Sequence, residues 1–104
     1  MNTKIYTAPC FRNVPVYHTS GIQDWLSRST DAKRDVQEAL QKFMLLDWGK
    51  TCAEDILINS KHLRTYEDLL AVYPTSDGDI YIIANGDENA KAYSNITILL
   101  PGEY

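Results

Sequence analysis

Residues 69–83 of the chain read LLAVYPTSDGDIYII. Two runs of β-branched, aromatic and aliphatic residues, at 69–73 and 80–83, flank the tetrapeptide Ser-Asp-Gly-Asp at 76–79, whose composition is typical of a hairpin turn. A third run of the same kind lies at 96–100, after a longer polar connection. The sequence therefore predicts a three-stranded antiparallel meander. Because its strands are apolar on both faces, we expect one face to pack on helices and the other to be partly exposed or covered by a partner.

Two helices are predicted ahead of this meander. The first begins at about Ser20. Its apolar residues, at positions i, i+3 and i+4, are Ile22, Trp25 and Leu26. The second begins at about Asp31, with Thr30 or Ser29 as its cap. Its apolar face, at positions i, i+4, i+7 and i+8, consists of Val36, Leu40, Phe43 and Met44.

A third helix is predicted between Thr51 and about Leu63. Thr51 and Glu54 have the S/T-x-x-E spacing of a capping box, in which the threonine side chain accepts a hydrogen bond from the first turn of the helix. Cys52, Ile56 and Leu63 fall near one stripe of this helix, with Ala53 and Leu57 beside it.

The N-terminal residues are predicted to be extended. Residues 4–8 alternate as a short strand, and residues 14–19 form a second candidate in which Pro15 is tolerable only at an edge or at the strand start. The prediction is therefore a single α+β domain spanning 1–104. It has an N-terminal edge strand or hairpin, two or three helices, and then the three-stranded antiparallel meander.

Charge is distributed unevenly along the chain. The 104 residues carry a formal net charge of −4, divided into +2 for residues 1–46 and −6 for residues 47–104. Phosphate contacts need clustered basic side chains, and no basic run exceeds the pair Lys33 and Arg34. We therefore expect no direct binding to nucleic acid and a basic protein as partner.

Composition also bears on location. No apolar run exceeds five residues, which is too short for a membrane span or a signal-peptide core. Cys10 and Cys52 have no paired spacing, as is typical of free thiols in a reducing compartment. We therefore expect a cytoplasmic protein that makes no membrane contact.

Neither a metal centre nor a catalytic site is predicted. The soft metal ligands Cys10, His18, Cys52 and His62 lack the close pairing of a zinc knuckle. Asp47, Glu54 and Asp55 cluster around the Asp-Trp-Gly turn at 47–49, where turn and capping chemistry explain them. With no phosphate loop, nucleophile elbow or zinc-protease motif, we expect no enzyme activity and no cofactor.

Acidic residues in the predicted loops are the candidate partner-binding site. They are Asp77, Asp79, Asp87, Glu88 and Glu103, which we expect to gather at the loop ends of the sheet. They are either a solubilising rim or a mimic of nucleic-acid phosphates presented to a Lys/Arg-lined groove. Tyr93 lies in a polar stretch with no evident packing role, so it is a candidate interface anchor.

Several segments of the last two thirds of the chain resemble a known family. They are Leu46-Asp47-Trp48-Gly49, Glu54-Asp55 followed by Asn59, Leu70-Ala71-Val72-Tyr73, Asp79-Ile80-Tyr81-Ile82-Ile83 and Thr97-Ile98-Leu99-Leu100-Pro101-Gly102-Glu103-Tyr104. Together they resemble a family of small proteins carried on plasmids, prophages and conjugative elements of Firmicutes, with D-W-G and terminal T-I-L-L-P-x-E-Y motifs. Some small proteins of this genomic setting inhibit host defence, among them anti-CRISPR proteins that act on type II effectors.

The resemblance implies a non-enzymatic inhibitor of a host-defence nuclease, of the anti-CRISPR or anti-restriction type. It would act by stoichiometric binding to a basic protein such as a CRISPR effector or a restriction nuclease. The alternative is a small regulatory or adaptor subunit without a counter-defence role. The sequence leaves open the partner's identity, the choice between monomer and homodimer, and the role of the D-W-G turn.

Overall fold

The structure is a computed structural model that describes residues 7–104. The part of the chain described is an α+β domain with three α-helices and a four-stranded sheet. Its elements are β1 (Val16–His18), α1 (Ser20–Arg28), α2 (Ala32–Met44), α3 (Ala53–Thr65), β2 (Leu69–Thr75), β3 (Gly78–Asp87) and β4 (Ala92–Leu99), with 3₁₀ turns at Pro9–Phe11 and Pro101–Glu103. The predicted fold class is therefore confirmed.

The sheet has the strand order β1-β4-β3-β2. Strands β2, β3 and β4 pair antiparallel, whereas β1 pairs parallel to β4, with Val16 opposite Ile96 and His18 opposite Ile98. The predicted three-stranded antiparallel meander is thus incomplete, because the sheet is mixed and has a fourth strand. Of the strand predicted at 4–8, residues 4–6 lie outside the described residues, and Thr7 and Ala8 are not in a strand.

One face of the sheet forms the core with the helices. Its buried residues are Leu69, Ala71, Tyr73, Ile80, Ile82, Ala84, Ile96 and Ile98. The predicted helix faces pack on them: Ile22 and Trp25 of α1 are buried, as are Val36 and Phe43 of α2. The Phe43 ring lies 5.2 Å from that of Phe11 and 5.3 Å from that of Trp48, measured between centroids.

Helix α3 and the two residues Lys50 and Thr51 before it lie along the outer edge of β2 and bind its backbone. The side chain of Asn59 accepts a hydrogen bond from the Leu70 N–H at 3.2 Å and donates to the Leu70 carbonyl at 2.9 Å. At the next outward-facing residue, Val72 N–H donates to Thr51 Oγ1 at 2.9 Å, and the Val72 carbonyl accepts from Lys50 N–H at 2.8 Å. The outward-facing backbone groups of Leu70 and Val72 are therefore paired within the chain.

The prediction of a capping box at the start of α3 is wrong, because Thr51 is used in these contacts with β2. The Thr51 hydroxyl donates to the Trp48 carbonyl and accepts from Val72, so it is not available to the first turn of the helix. Cys52 is the N-cap residue, and it makes no side-chain capping bond. Cys52 is also exposed, whereas Ile56 and Leu63 of the predicted stripe pack against the core.

The D-W-G turn joins α2 to this edge and has a structural role. Asp47 Oδ1 accepts from Gly49 N–H at 3.0 Å, and the Asp47 carbonyl accepts from the Tyr73 hydroxyl at 2.6 Å. Gly49 has a φ of 62°, and a Cβ there would clash with the Tyr73 ring, so only glycine fits. Burial raises the pKa of Tyr73, because the ionised phenol would be poorly solvated.

Candidate partner-binding surfaces

Strand β3 separates the predicted acidic residues into two groups. Asp77 and Asp79 lie where β3 begins, and Asp87 and Glu88 lie where it ends, ten residues later. At about 3.3 Å per residue the two groups are about 30 Å apart. The acids therefore lie at the loop ends of the sheet, but they form two groups and not one. We call the first group, with Glu103, the β2–β3 end and the second group the β3–β4 end.

The acids of the β2–β3 end have partners inside the protein. Asp77 Oδ2 accepts a hydrogen bond from Trp25 Nε1 at 2.8 Å, which fastens the hairpin turn to α1. Asp79 forms an ion pair with Lys50, with Nζ and Oδ2 3.0 Å apart. A cavity of about 700 Å³ lies beside them, with Trp25, Asp77 and Asp79 in its wall.

Glu103 is also tied to the fold. Its Oε1 accepts from the Thr19 hydroxyl at 2.6 Å and from the Leu100 N–H at 2.9 Å, and its Oε2 accepts from the Gly21 N–H at 3.2 Å. These hydrogen bonds favour the ionised form and lower the pKa of Glu103, with that from Thr19 the largest cause. The carboxylate also lies at the positive end of α1. Glu103 thus fastens the C-terminal turn to a helix N-terminus.

Asp35 is a fourth acidic residue with partners inside the protein, after Asp77, Asp79 and Glu103. No sequence pattern distinguishes it. Its Oδ2 accepts from the backbone N–H of Ser76 at 3.1 Å and from the Ser76 hydroxyl at 2.8 Å, joining α2 to the tip of the β2–β3 hairpin. The backbone hydrogen bond from Ser76 is the main cause of the lowered pKa of Asp35. Helical spacing places Asp35 on the surface of the predicted helix and does not indicate this contact, because the contact depends on the tertiary structure.

The β3–β4 end is arranged differently. Asp87 accepts from the backbone N–H groups of Asn89 and Ala90, both at 3.0 Å, so it caps its own turn, and Glu88 is exposed. The start of β2 brings Glu67 and Asp68 to the same end, because Leu69 pairs with Ala84 of β3. Three of these acids border a depression of about 290 Å³, lined by His62, Tyr66, Glu67, Asp68, Gly86 and Glu88.

Sequence reasoning missed Glu67 and Asp68. They precede the first strand of the hairpin, and the antiparallel register that places them next to residues 86–88 follows from the predicted turn. An argument from this register could therefore have found them.

Glu67 and Asp68 both contact neighbouring residues. Glu67 Oε2 lies 3.3 Å from His62 Nε2, and Asp68 Oδ1 accepts from Gly86 N–H at 2.8 Å. A Cβ on Gly86 would clash with the Tyr66 carbonyl oxygen, so only glycine allows this approach.

Tyr93 is not in an exposed loop, and this corrects the expectation that it is an available anchor. It lies in β4, with only 4% of its surface exposed, and its ring centroid is 5.5 Å from that of Phe11 and 5.7 Å from that of Tyr66. Its hydroxyl donates towards the carbonyl oxygens of His62 and Glu67, each at 3.3 Å. Desolvation is the main reason that the pKa of Tyr93 is raised. In this conformation the side chain is part of the core.

The outer face of the sheet is a second candidate surface. Leu70, Val72, Tyr81 and Ile83 are partly exposed there, and Tyr17 is 57% exposed on β1. Tyr104 is 69% exposed and packs edge-on against Tyr81, with the ring centroids 5.7 Å apart. Helices α1 and α2 pack on the opposite face, whereas α3 borders the outer face at β2.

No metal-binding cluster is found within residues 7–104, in the sense of three or more His, Cys, Asp or Glu side chains that could hold an ion. Cys10 is partly buried, and desolvation raises the pKa of its thiol, which lowers the fraction of reactive thiolate. Among the described residues, no helix has the length and apolar character needed to cross a membrane.

Comparisons with known proteins do not identify a relative: no family model, no curated protein and no solved structure matches the chain. Function is therefore inferred from the surfaces described above. The resemblance to proteins of mobile elements stays an expectation.

Proposed function

We propose that the protein is a non-enzymatic inhibitor of a host-defence nuclease, of the anti-CRISPR or anti-restriction type. It acts in the cytoplasm by stoichiometric binding to the basic surface on which that nuclease holds its nucleic acid. The observation that carries the proposal is the β3–β4 end, where Glu67, Asp68 and Glu88 border one depression and Asp87 lies next to it.

The β3–β4 end is better suited to this role than the β2–β3 end. At the β2–β3 end, Asp77 and Asp79 already bind Trp25 and Lys50, so a partner would have to compete with internal contacts. At the β3–β4 end, no ion pair within residues 7–104 joins Asp68, Asp87 or Glu88 to a lysine or arginine. These carboxylates can therefore meet arriving cations without breaking an existing ion pair.

The net charge of the C-terminal half supports the same partner. Residues 47–104 carry a net charge of −6, which repels nucleic acid and attracts a Lys/Arg-lined groove from a distance set by the ionic strength. The protein is thus expected to compete with guide or target nucleic acid for the nuclease while having no affinity for DNA or RNA itself.

Two double variants test the proposal. Asp87→Asn with Glu88→Gln removes two charges from the β3–β4 end, and the amide introduced at position 87 keeps the Oδ1 acceptor that caps the turn. At about 0.2–1 kcal/mol for each exposed contact, binding to a type II CRISPR effector or a restriction nuclease should weaken about 2- to 30-fold. Inhibition of cleavage should fall in parallel, and raising the salt concentration should weaken binding of the parent protein.

Asp77→Asn with Asp79→Asn is the matched control. It also removes two charges, and the amide oxygen introduced at position 77 can still accept from the Trp25 indole. This variant should bind and inhibit nearly as well as the parent protein. If both double variants weaken binding equally, only overall charge matters and the β3–β4 end is not the contact. If the parent inhibits none of the nucleases, the proposed function is wrong.

A regulatory or adaptor subunit that forms a homodimer is the second candidate. It is favoured by the apolar residues left exposed on the outer sheet face, notably Tyr17 and Tyr104. Sedimentation at increasing protein concentration distinguishes the two functions. An apolar dimer contact should persist at high salt, whereas the acidic contact with a nuclease should weaken.

A further inference from the structure

A pocket of about 390 Å³ lies between α3 and the outer face of β2 and β3. Its floor includes Leu70 and Ile83, which are opposite each other in the β2–β3 ladder. One wall is the exposed ring of Tyr104, and the other includes Ile58 of α3, which is 41% exposed. The volume lies at the low end of the range of about 300–1,000 Å³ that is typical of ligand pockets.

The rim of this pocket is acidic. Asp55, in the first turn of α3, and Asp68, before β2, both line it, and none of its lining residues is a lysine or arginine. An apolar floor with an aromatic wall and a carboxylate rim suits a side chain that has an apolar stem and a cationic head. Arginine meets this description best, because its planar guanidinium both stacks on an aromatic ring and donates to carboxylates.

We propose that this pocket docks an arginine side chain from an exposed segment of the partner protein. The stem packs on Leu70 and Ile83, and the guanidinium lies against Tyr104 and donates to Asp55 or Asp68. The inference deepens the proposed function, on which it rests for the basic character of the partner. Because Asp68 also borders the acidic depression, a single basic partner surface can reach both sites.

The test uses a short acetylated and amidated peptide with three arginines separated by leucines. The control peptide has citrulline in place of arginine, which keeps the shape and removes the charge. Titration of the ¹⁵N-labelled protein should shift the backbone amide resonances of Leu70, Ile83 and Tyr104 in a saturable manner. The citrulline peptide should bind at least about fivefold more weakly, as expected from loss of the cation–π and carboxylate contacts.

Matched variants on α3 separate the pocket from general charge. Asp55→Asn should weaken binding of the arginine peptide about two- to fivefold, while Glu54→Gln, an exposed first-turn neighbour outside the pocket, should not. Ile58→Lys should abolish saturable binding by placing a cation in the pocket. Leu57→Lys adds the same charge at a 67% exposed position outside the pocket and should bind as the parent does.

Three results would overturn the proposal. These are resonance shifts confined to Asp87 and Glu88, equal losses of peptide affinity in Asp55→Asn and Glu54→Gln, and a dimer that buries Leu70 and Ile83.

The test needs no nuclease, so its outcome is separable from that of the proposed function. Saturable peptide binding by a protein that inhibits no nuclease would support the pocket and refute the function. If the parent protein binds no peptide and Ile58→Lys still inhibits a nuclease, the result would support the proposed function and refute the pocket.

Discussion

The two ends of the sheet carry the same kind of side chain and use it differently. At the β2–β3 end, Asp77 and Glu103 accept hydrogen bonds that join separate elements of the fold. At the β3–β4 end, Asp87 caps its own turn and Glu88 is exposed. A count of acidic residues along the sequence therefore overstates how many are available to a partner.

The largest expected effect concerns Tyr93, which lies beneath the β3–β4 end. Although this end is a candidate binding surface, Tyr93 is part of the core, so Tyr93→Ala should lower the free energy of unfolding by about 3–5 kcal/mol. Urea denaturation followed by circular dichroism measures this change. A stability close to that of the parent would mean that the β3–β4 end has no packed interior and that Tyr93 is exposed in solution.

Tyr93→Phe is the control for that prediction. It keeps the ring contacts with Phe11 and Tyr66 and removes only the hydroxyl, whose two acceptors lie at a long 3.3 Å. The expected loss is about 0.5–1.5 kcal/mol.

A direct comparison of the two ends comes from Asp77→Ala and Glu88→Ala. The first leaves the indole N–H of the buried Trp25 without its acceptor and should destabilise the protein by about 1–3 kcal/mol. The second removes an exposed side chain and should change stability by no more than about 0.5 kcal/mol. Thermal melts of both proteins give the answer. Equal losses of stability in the two variants would mean that acids with internal hydrogen bonds do not differ from exposed acids in their contribution to the fold.

The pH dependence of stability sharpens the comparison further. The folded protein lowers the pKa of Glu103 below its ordinary value of 4.5, so the unfolded chain takes up this proton first as the pH falls. The stabilisation from Glu103 is therefore complete above about pH 5.5 and is lost as the pH falls through about 4.5 towards the lowered pKa. Glu103→Gln should be less stable than the parent at pH 7, and this difference should shrink as the pH falls towards 3.

Glu88→Gln is the matched control for the acid titration. Its melting temperature should follow that of the parent at every pH between 7 and 3. If the melting temperature of Glu103→Gln also followed that of the parent at every pH in this range, the contacts of Glu103 with Thr19 and Gly21 would add no stability.

Among the acids with internal partners, the smallest effect is expected at Asp79. Its ion pair with Lys50 is partly solvated, since the two side chains are 32% and 59% exposed. Asp79→Asn should therefore cost less than about 1 kcal/mol, and less still in about 0.5 M salt. A loss above about 2 kcal/mol, measured by urea denaturation, would place Asp79 among the acids that hold the fold together.

Local patterns predicted most elements of the fold. Trp25 and Phe43 fall on the faces that helical spacing assigns to the core, and the Ser-Asp-Gly-Asp segment forms the β2–β3 turn as expected. The parallel pairing of β1 with β4 joins residues near opposite ends of the chain, and periodicity carries no information on which strands meet. Thr51 shows a different limit, because its capping pattern is present while a strand edge takes up its hydroxyl.

The candidate site was predicted only in part. Asp87 and Glu88 were expected in the polar connection after residues 80–83, whereas Asp87 is the last residue of β3. The ten-residue length of β3, which separates them from Asp77, exceeds the four-residue run at 80–83. Tyr93 was misassigned because polar neighbours surround it. The ladder slips between Asn85 and Gly86, so that Ser94 is an extra residue and Tyr93 faces the core together with Ile96.

The closed edge of β2 limits how any other chain can attach at that side. Since Asn59, Thr51 and Lys50 already bind the outward N–H and C=O groups of Leu70 and Val72, a foreign segment has no backbone ladder to extend. Copies of the protein cannot polymerise through this edge either. Binding of another chain at this edge must therefore depend on side chains alone. Surface side chains can change one at a time without disturbing the sheet. The chemistry of this edge can thus change by point substitutions while the fold stays constant.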